Sequence, residues 1–239
     1  MASARQRADT PLKRPAITTG LLGGSFNPAH GGHLGITRHA MAALGLDEVW
    51  WLVSPGNPLK PAAGMAPLAA RFASAKRQSR HHPIRATAIE RELHTRFTVD
   101  TLAAITRRWP KRRFIWLMGA DNLAQLHRWH QWRKLACIMP IAVLARPGYD
   151  ARALASPAMV WLRNYQCSAA NLRNRPKDQN LNGHHLRSVP QLVLLRFDPD
   201  PRSASTLRLA DPDWFCKIPS THLRDAVTFR PLKKAISSQ

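Results

Sequence analysis

His30 and His33 stand three residues apart in a glycine-rich run, Leu22-Gly23-Gly24-Ser25-Phe26-Asn27-Pro28-Ala29-His30-Gly31-Gly32-His33-Leu34. Glycines let a backbone approach a ligand closely, and the unpaired N–H groups at a helix start attract anions. An imidazolium, or a neutral imidazole donating its N–H, stabilises charge building on a phosphoryl oxygen. Both side chains therefore suit a single phosphate group. The run lacks the Gly-Lys-Ser/Thr ending of a Walker A loop and does not match the G-x-G-x-x-G dinucleotide fingerprint. Two plainer uses stay open: H-x-x-H at a helix start can act as a cap or surface pair, or as half of a metal site, although no third ligand stands nearby.

The elements that must hold these residues follow from apolar patterning. From Ala16 onward, short apolar runs alternate with stretches of helical periodicity, the signature of an α/β protein with a parallel sheet. Strands are expected at Ile17–Leu22, Val49–Val53, Ile84–Ile89, Phe114–Met118 and Ile141–Ala145, with a further one at Gln191–Phe197. Helices are expected at Gly32–Leu44, Pro67–Arg80, Val99–Trp109 and Asn122–Ala136, and a short one after Ser220. Right-handed crossovers make this a doubly wound, Rossmann-like sheet, whose ligands bind at the carboxyl ends of the strands. The loops after Leu22, Val53, Met118 and Ala145 are the places to look. Arg163–Pro190, rich in Asn, Arg, Gln, Ser and His, shows neither period and reads as a long loop or insertion. Residues 1–15 read as a disordered basic tail, 16–230 as one domain and 231–239 as a second tail.

A chain of 239 residues with 44% hydrophobic residues supports a sizeable core, which excludes wholesale disorder and a minimal stapled scaffold. Its 36 Lys and Arg against 14 Asp and Glu give a formal charge of +22. That surplus favours phosphorylated or polyanionic partners without specifying a fold. Cys137, Cys167 and Cys216 are too few and too widely spaced for a disulfide framework or a zinc knuckle, so a reducing, cytoplasmic setting is expected. The longest nearly apolar stretch, Ala136–Ala145, contains Pro140 and is about half of what spans a bilayer, so no membrane span is expected.

The motifs, taken in order, resemble a known family. Gly24 to His33 matches G-x-F-x-P-x-H-x-G-H of the H-x-G-H nucleotidyltransferase superfamily at every fixed position. Four further segments are similar to bacterial nicotinate-nucleotide adenylyltransferases: Ser54-Pro55-Gly56-Asn57-Pro58-Leu59-Lys60, Thr95 to Leu102 with its T-x-D-T-L start, Phe114 to Asn122 with Trp129 and Trp132 beyond it, and Arg146-Pro147-Gly148-Tyr149. Agreement of five ordered motifs, each at a strand end or helix start, carries the weight.

The resemblance implies transfer of AMP from ATP to nicotinate mononucleotide, with pyrophosphate leaving and no covalent intermediate. His30 and His33 would meet the ATP phosphates. Gly24, Ser25 and Phe26 would make backbone and adenosine contacts, and Ser220, Thr221 and Arg224 would bind the triphosphate, with magnesium bridging its β- and γ-phosphates. Trp129 would stack on the pyridine ring, Thr98 and Asp121 would give polar contacts, and Lys60 would meet the carboxylate or phosphate. Plainer readings are core packing for Trp129 and Trp132, a helix cap for Thr98 and a solvated charge for Lys60.

Two places depart from the family pattern. Asn27 stands where Asp is usual, and Pro219 replaces the first serine of I-S-S-T-x-x-R in Ile218 to Arg224. A second candidate, Ser203 to Arg208, has its arginine one residue too early. Arg71, Lys76, Arg77, Arg80 and Arg85 with His81 and His82, and Arg107, Arg108, Lys111, Arg112 and Arg113, are expected on solvated helix surfaces and ends away from the motif loops. Weak, non-specific nucleic-acid binding is their sharper alternative. Competing functions are a sister adenylyltransferase using nicotinamide mononucleotide or phosphopantetheine, and a basic nucleic-acid-binding protein on the same fold.

Overall fold

Side chains that alternate along the central strands are apolar on both sides, which requires a sheet covered on both faces. In the computed structural model, which describes residues 17–56, 64–144, 150–174, 189–196 and 204–217, that sheet has six parallel strands. They are β1 (Ile17–Gly24), β2 (Glu48–Val53), β3 (Ile84–Thr87), β4 (Arg112–Gly119), β5 (Ile141–Leu144) and β6 (Leu192–Leu195), in the order β3-β2-β1-β4-β5-β6. Trp50, Leu52, Phe114, Trp116 and Met118 point to one face, and Val49, Trp51, Val53, Ile115 and Leu117 to the other.

The helices are α1 (Gly31–Leu44), α2 (Leu68–Gln78), α3 (Ile89–Glu92), α4 (Thr98–Arg108), α5 (Ala120–Gln125), α6 (Trp132–Ile138), α7 (Asp150–Leu154), α8 (Pro157–Leu162), α9 (Ala169–Asn174) and α10 (Ala204–Ala210). Val99, Leu102 and Ile105 of α4, Leu135 of α6 and Leu162 of α8 cover the first face. Ile36, Ala40 and Leu44 of α1, Phe72 and Ala75 of α2 and Leu172 of α9 cover the second. Helix α1 stops at Gly45, whose φ of 63° is the left-handed cap that glycine adopts without a Cβ penalty.

Three expected elements come out differently. The third strand ends at Thr87, and Ile89 turns into α3, its side chain completing the core. The helix expected over Asn122–Ala136 is broken: α5 gives way to a 3-10 turn at Leu126–Arg128, Trp129 is extended, and Gln131 is left-handed at φ 47° before α6 begins. The segment expected as a loop from Arg163 opens with a 3-10 turn at Arg163–Tyr165 and continues into α9. The final helix after Ser220 lies outside the described residues.

Close packing fixes one glycine of β1. A Cβ on Gly23 would sit 2.5 Å from the Trp116 ring. Gly23→Ala should therefore cost about 1–3 kcal/mol in denaturant unfolding, whereas Gly56→Ala, where nothing lies within 4 Å, should change it by less than about 0.5 kcal/mol.

Candidate active site

Strand order reverses between β1 and β4, and doubly wound sheets bind ligands in the crevice at the carboxyl ends of the strands at such a point. The loop after β1 and the start of α5 after β4 both border it. His30 caps α1: its Nδ1 accepts from Gly32 N at 3.1 Å, and His33 Nδ1 accepts from His30 N at 3.3 Å. A ring nitrogen that accepts a hydrogen bond carries no proton, so in each neutral imidazole the N–H is on Nε2. The rings lie 4.0 Å apart, centroid to centroid. The capping use and the phosphate-binding use are thus compatible, because they employ opposite nitrogens.

The pair is held from behind. Trp51 Nε1 donates to Thr37 Oγ1 at 2.8 Å, and Thr37 Oγ1 donates to the His33 carbonyl at 2.8 Å. Phe26, with φ 47°, is a buried bulky residue in a left-handed conformation. Its ring stacks on Trp51 at 5.1 Å and meets His33 at 4.7 Å. The Phe26 ring is thus turned inward, spent on Trp51 and His33.

Arg71 was expected on a solvated surface; it is instead 1% exposed. Its guanidinium donates from Nη1 to Ser25 O (2.8 Å) and Ser54 O (2.7 Å), from Nη2 to Pro55 O (3.1 Å) and from Nε to Ala66 O (2.8 Å). One turn along α2, Ser74 Oγ accepts from Ala29 N at 3.2 Å. The signal was present in Leu68-Ala69-Ala70-Arg71-Phe72-Ala73-Ser74-Ala75: a helix that is small and apolar nearly all round is buried, and so is an arginine within it. The loop after β2 is also tied directly to β1, Ser54 N donating to Gly24 O at 3.0 Å.

Asp121 lies in the first turn of α5, and its Oδ1 is buried. Thr98 opens α4, but Phe97 occupies the cap position and no side-chain cap bond forms there, so Thr98 is not the cap that its spacing suggested. Trp129 is half-buried against the first core cluster, between the 3-10 turn and α6 rather than on one helix with Trp132. Trp132 is buried and meets Trp161 edge-on at 5.2 Å. Lys60, Ser220, Thr221, Arg224 and the segment 146–149 lie outside the described residues.

Residues 21–179 match the cytidylyltransferase-like family model. A probable nicotinate-nucleotide adenylyltransferase of Erythrobacter litoralis is 60% identical over 90% of this chain and 94% of its own length. One of Parvibaculum lavamentivorans is 49% identical over 82% of this chain and 94% of its own. The chain belongs to the cytidylyltransferase-like family, among its nicotinate-nucleotide adenylyltransferases. The fold is shared with the nicotinic acid mononucleotide adenylyltransferase of Plasmodium falciparum complexed with NaAD, at a TM-score of 0.58 and 14% identity over 80% of this chain and 82% of that one.

Within this adenylyltransferase family member, Asn27 has a clear use for its amide. Nδ2 donates to Gly64 O at 2.9 Å and Oδ1 accepts from Ala66 N at 3.2 Å, joining the first loop to the approach of α2. A carboxylate supplies only the second of these bonds. Arg208 of α10, from the second candidate C-terminal motif, donates to the Asn27 carbonyl at 2.6 Å, while Trp214 packs on Ala66, Ala70 and Ala73. Other expected surface cations are also engaged: Arg113 is buried and donates to the Leu172 carbonyl, and Arg112 pairs with Glu48. Lys76, Arg77, Arg80, Arg107, Arg108 and Lys111 are exposed, at the ends of α2 and α4 and in the links to β3 and β4. They gather where strands begin, the edge opposite the histidines.

Burial raises the Glu90 carboxyl to about 7, and a hydrogen bond from the Ser54 side chain offsets only part of that rise. The folded protein then holds this proton more tightly than an unfolded chain with its Glu near 4.5. Stability from this group is full below about 4.5 and is lost as pH climbs through about 7. Glu90→Gln should therefore be more stable than wild type at pH 8, by about 1–3 kcal/mol, and show no gain at pH 4.5, in thermal unfolding followed across that range.

Proposed function

We infer that this protein transfers AMP from ATP to nicotinate mononucleotide, producing deamido-NAD and pyrophosphate in NAD biosynthesis. The observation that carries the reading is the pair of imidazole Nε2–H groups at the start of α1, beside the crevice at the strand ends. A phosphate oxygen of the mononucleotide attacks the α-phosphorus of ATP, the bond to the bridging α–β oxygen breaks, and pyrophosphate departs with that electron pair. Such chemistry rests on orientation and on charge stabilisation rather than on a protein nucleophile. His30 and His33 donate to the ATP phosphates, and backbone groups of Gly24, Ser25 and Phe26 line the nucleotide. Ser220, Thr221 and Arg224 complete the triphosphate contacts.

The mononucleotide takes the other side of the crevice, with Trp129 against its pyridine ring, Asp121 and Thr98 as polar contacts and Lys60 at an anionic group. Magnesium enters as part of the ATP substrate. Carried on phosphate oxygens, that ion needs no dedicated cage of protein ligands. We place the reaction in the cytoplasm, a reducing setting that suits three cysteines, Cys137, Cys167 and Cys216, spaced too widely for a disulfide framework.

The decisive assay is pyrophosphate release from ATP with each acceptor in turn. Release with nicotinate mononucleotide is expected; release only with nicotinamide mononucleotide or phosphopantetheine would move the protein to a sister activity. His33→Ala should lower turnover about 100- to 1,000-fold while its circular dichroism stays that of wild type, and an unchanged rate would remove the histidine from the mechanism.

A further inference from the structure

We propose that Arg71 is a positioning residue that sets the separation between the two substrates, a role that rests on the adenylyl-transfer reading above. A guanidinium is planar, permanently charged and offers donors in a fixed fork. At Arg71 that fork is spent on backbone carbonyls of three separate segments: Ser25 in the loop after β1, Ser54 and Pro55 in the loop after β2, and Ala66 on the approach to α2. Those first two loops are the ones assigned to ATP and to the mononucleotide. Their spacing at the edge of the sheet is therefore fixed by the dimensions of one rigid group.

Stability alone is a poor reason to keep a cation here. Its four bonded acceptors are all neutral carbonyls, its charge is taken out of water, and burial lowers its pKa. The charge itself adds a desolvation cost that neutral donors to the same carbonyls would not carry, and an apolar side chain would leave those carbonyls without a donor. Nor can an apolar side chain hold the two loops in register. Ser74, on the same face of α2, adds a grip on Ala29 immediately before His30, so α2 holds the donor-bearing loop at both ends. A shift on the order of 1 Å between reacting groups costs about 100-fold in rate even when each partner remains bound.

The test compares wild type with Arg71→Met and Arg71→Lys in three measurements: cooperative thermal unfolding, equilibrium binding of each substrate alone (a non-hydrolysable ATP analogue, then nicotinate mononucleotide), and steady-state turnover. Arg71→Met should fold and bind each substrate within about threefold of wild type, with kcat about 100-fold lower. Arg71→Lys should recover part of kcat. Unchanged kcat in Arg71→Met overturns the proposal, as does a fall matched by weaker binding of either substrate alone, which is what a merely structural role gives. If Arg71→Met does not fold, Arg71→Lys decides by the same split between binding and kcat, and failure of both to fold also overturns it. An inactive wild type overturns the functional reading itself, an outcome distinct from an active wild type indifferent to Arg71.

Discussion

A neutral imidazole that accepts a hydrogen bond through Nδ1 must carry its proton on Nε2, and the candidate site is built around that constraint applied twice. His30 accepts from Gly32 N and His33 from His30 N. The orientation of both donors is consequently a property of the helix cap rather than of two free rotors. Gly31 and Gly32 give the turn no side chains to obstruct it. Thr37 and Trp51 hold the His33 backbone from β2, and Phe26 fills the space beneath, in a backbone conformation that a large residue adopts only when its surroundings impose it. Behind the cap, α2 reaches through Arg71 and Ser74 to fix the loop against β1 and the loop after β2.

The positive charge divides into two populations with different physics. Arg71, Arg112 and Arg113 are withdrawn from solvent and hold backbone or a carboxylate. The exposed set lies at the ends of α2 and α4, where cations suit the negative end of the helix dipole. A formal charge of +22 still biases phosphorylated substrates toward the molecule. Among the described residues, Lys76, Arg77, Arg80, Arg107, Arg108 and Lys111 gather at the strand starts, away from His30 and His33.

Much of the architecture was legible because period-2 and period-3.6 patterns survive wherever an element is long and covers a face. Strands β1, β2, β4 and β5 and helices α1, α2 and α4 were read to within two residues. Helix α9 was invisible because it is short and buries only Leu172. The break at Trp129–Gln131 was missed because apolar spacing continued across it while a left-handed Gln131, carrying no glycine signal, ended the helix. Among the candidate site residues, His30, His33 and Asp121 stand out by their places in the motifs. Arg71 is not legible from its charge; the small, apolar neighbours that bury it carry the signal.

The central claim is that the helix cap fixes both histidines as Nε2–H donors facing a nucleotide. It is tested most directly by histidine nitrogen NMR of the free protein, followed by titration with ATP. The account predicts Nε2-protonated neutral rings at His30 and His33, both with Nε2 resonances that move on adding ATP. Protonation at Nδ1 in either ring, or resonances indifferent to ATP, would contradict it.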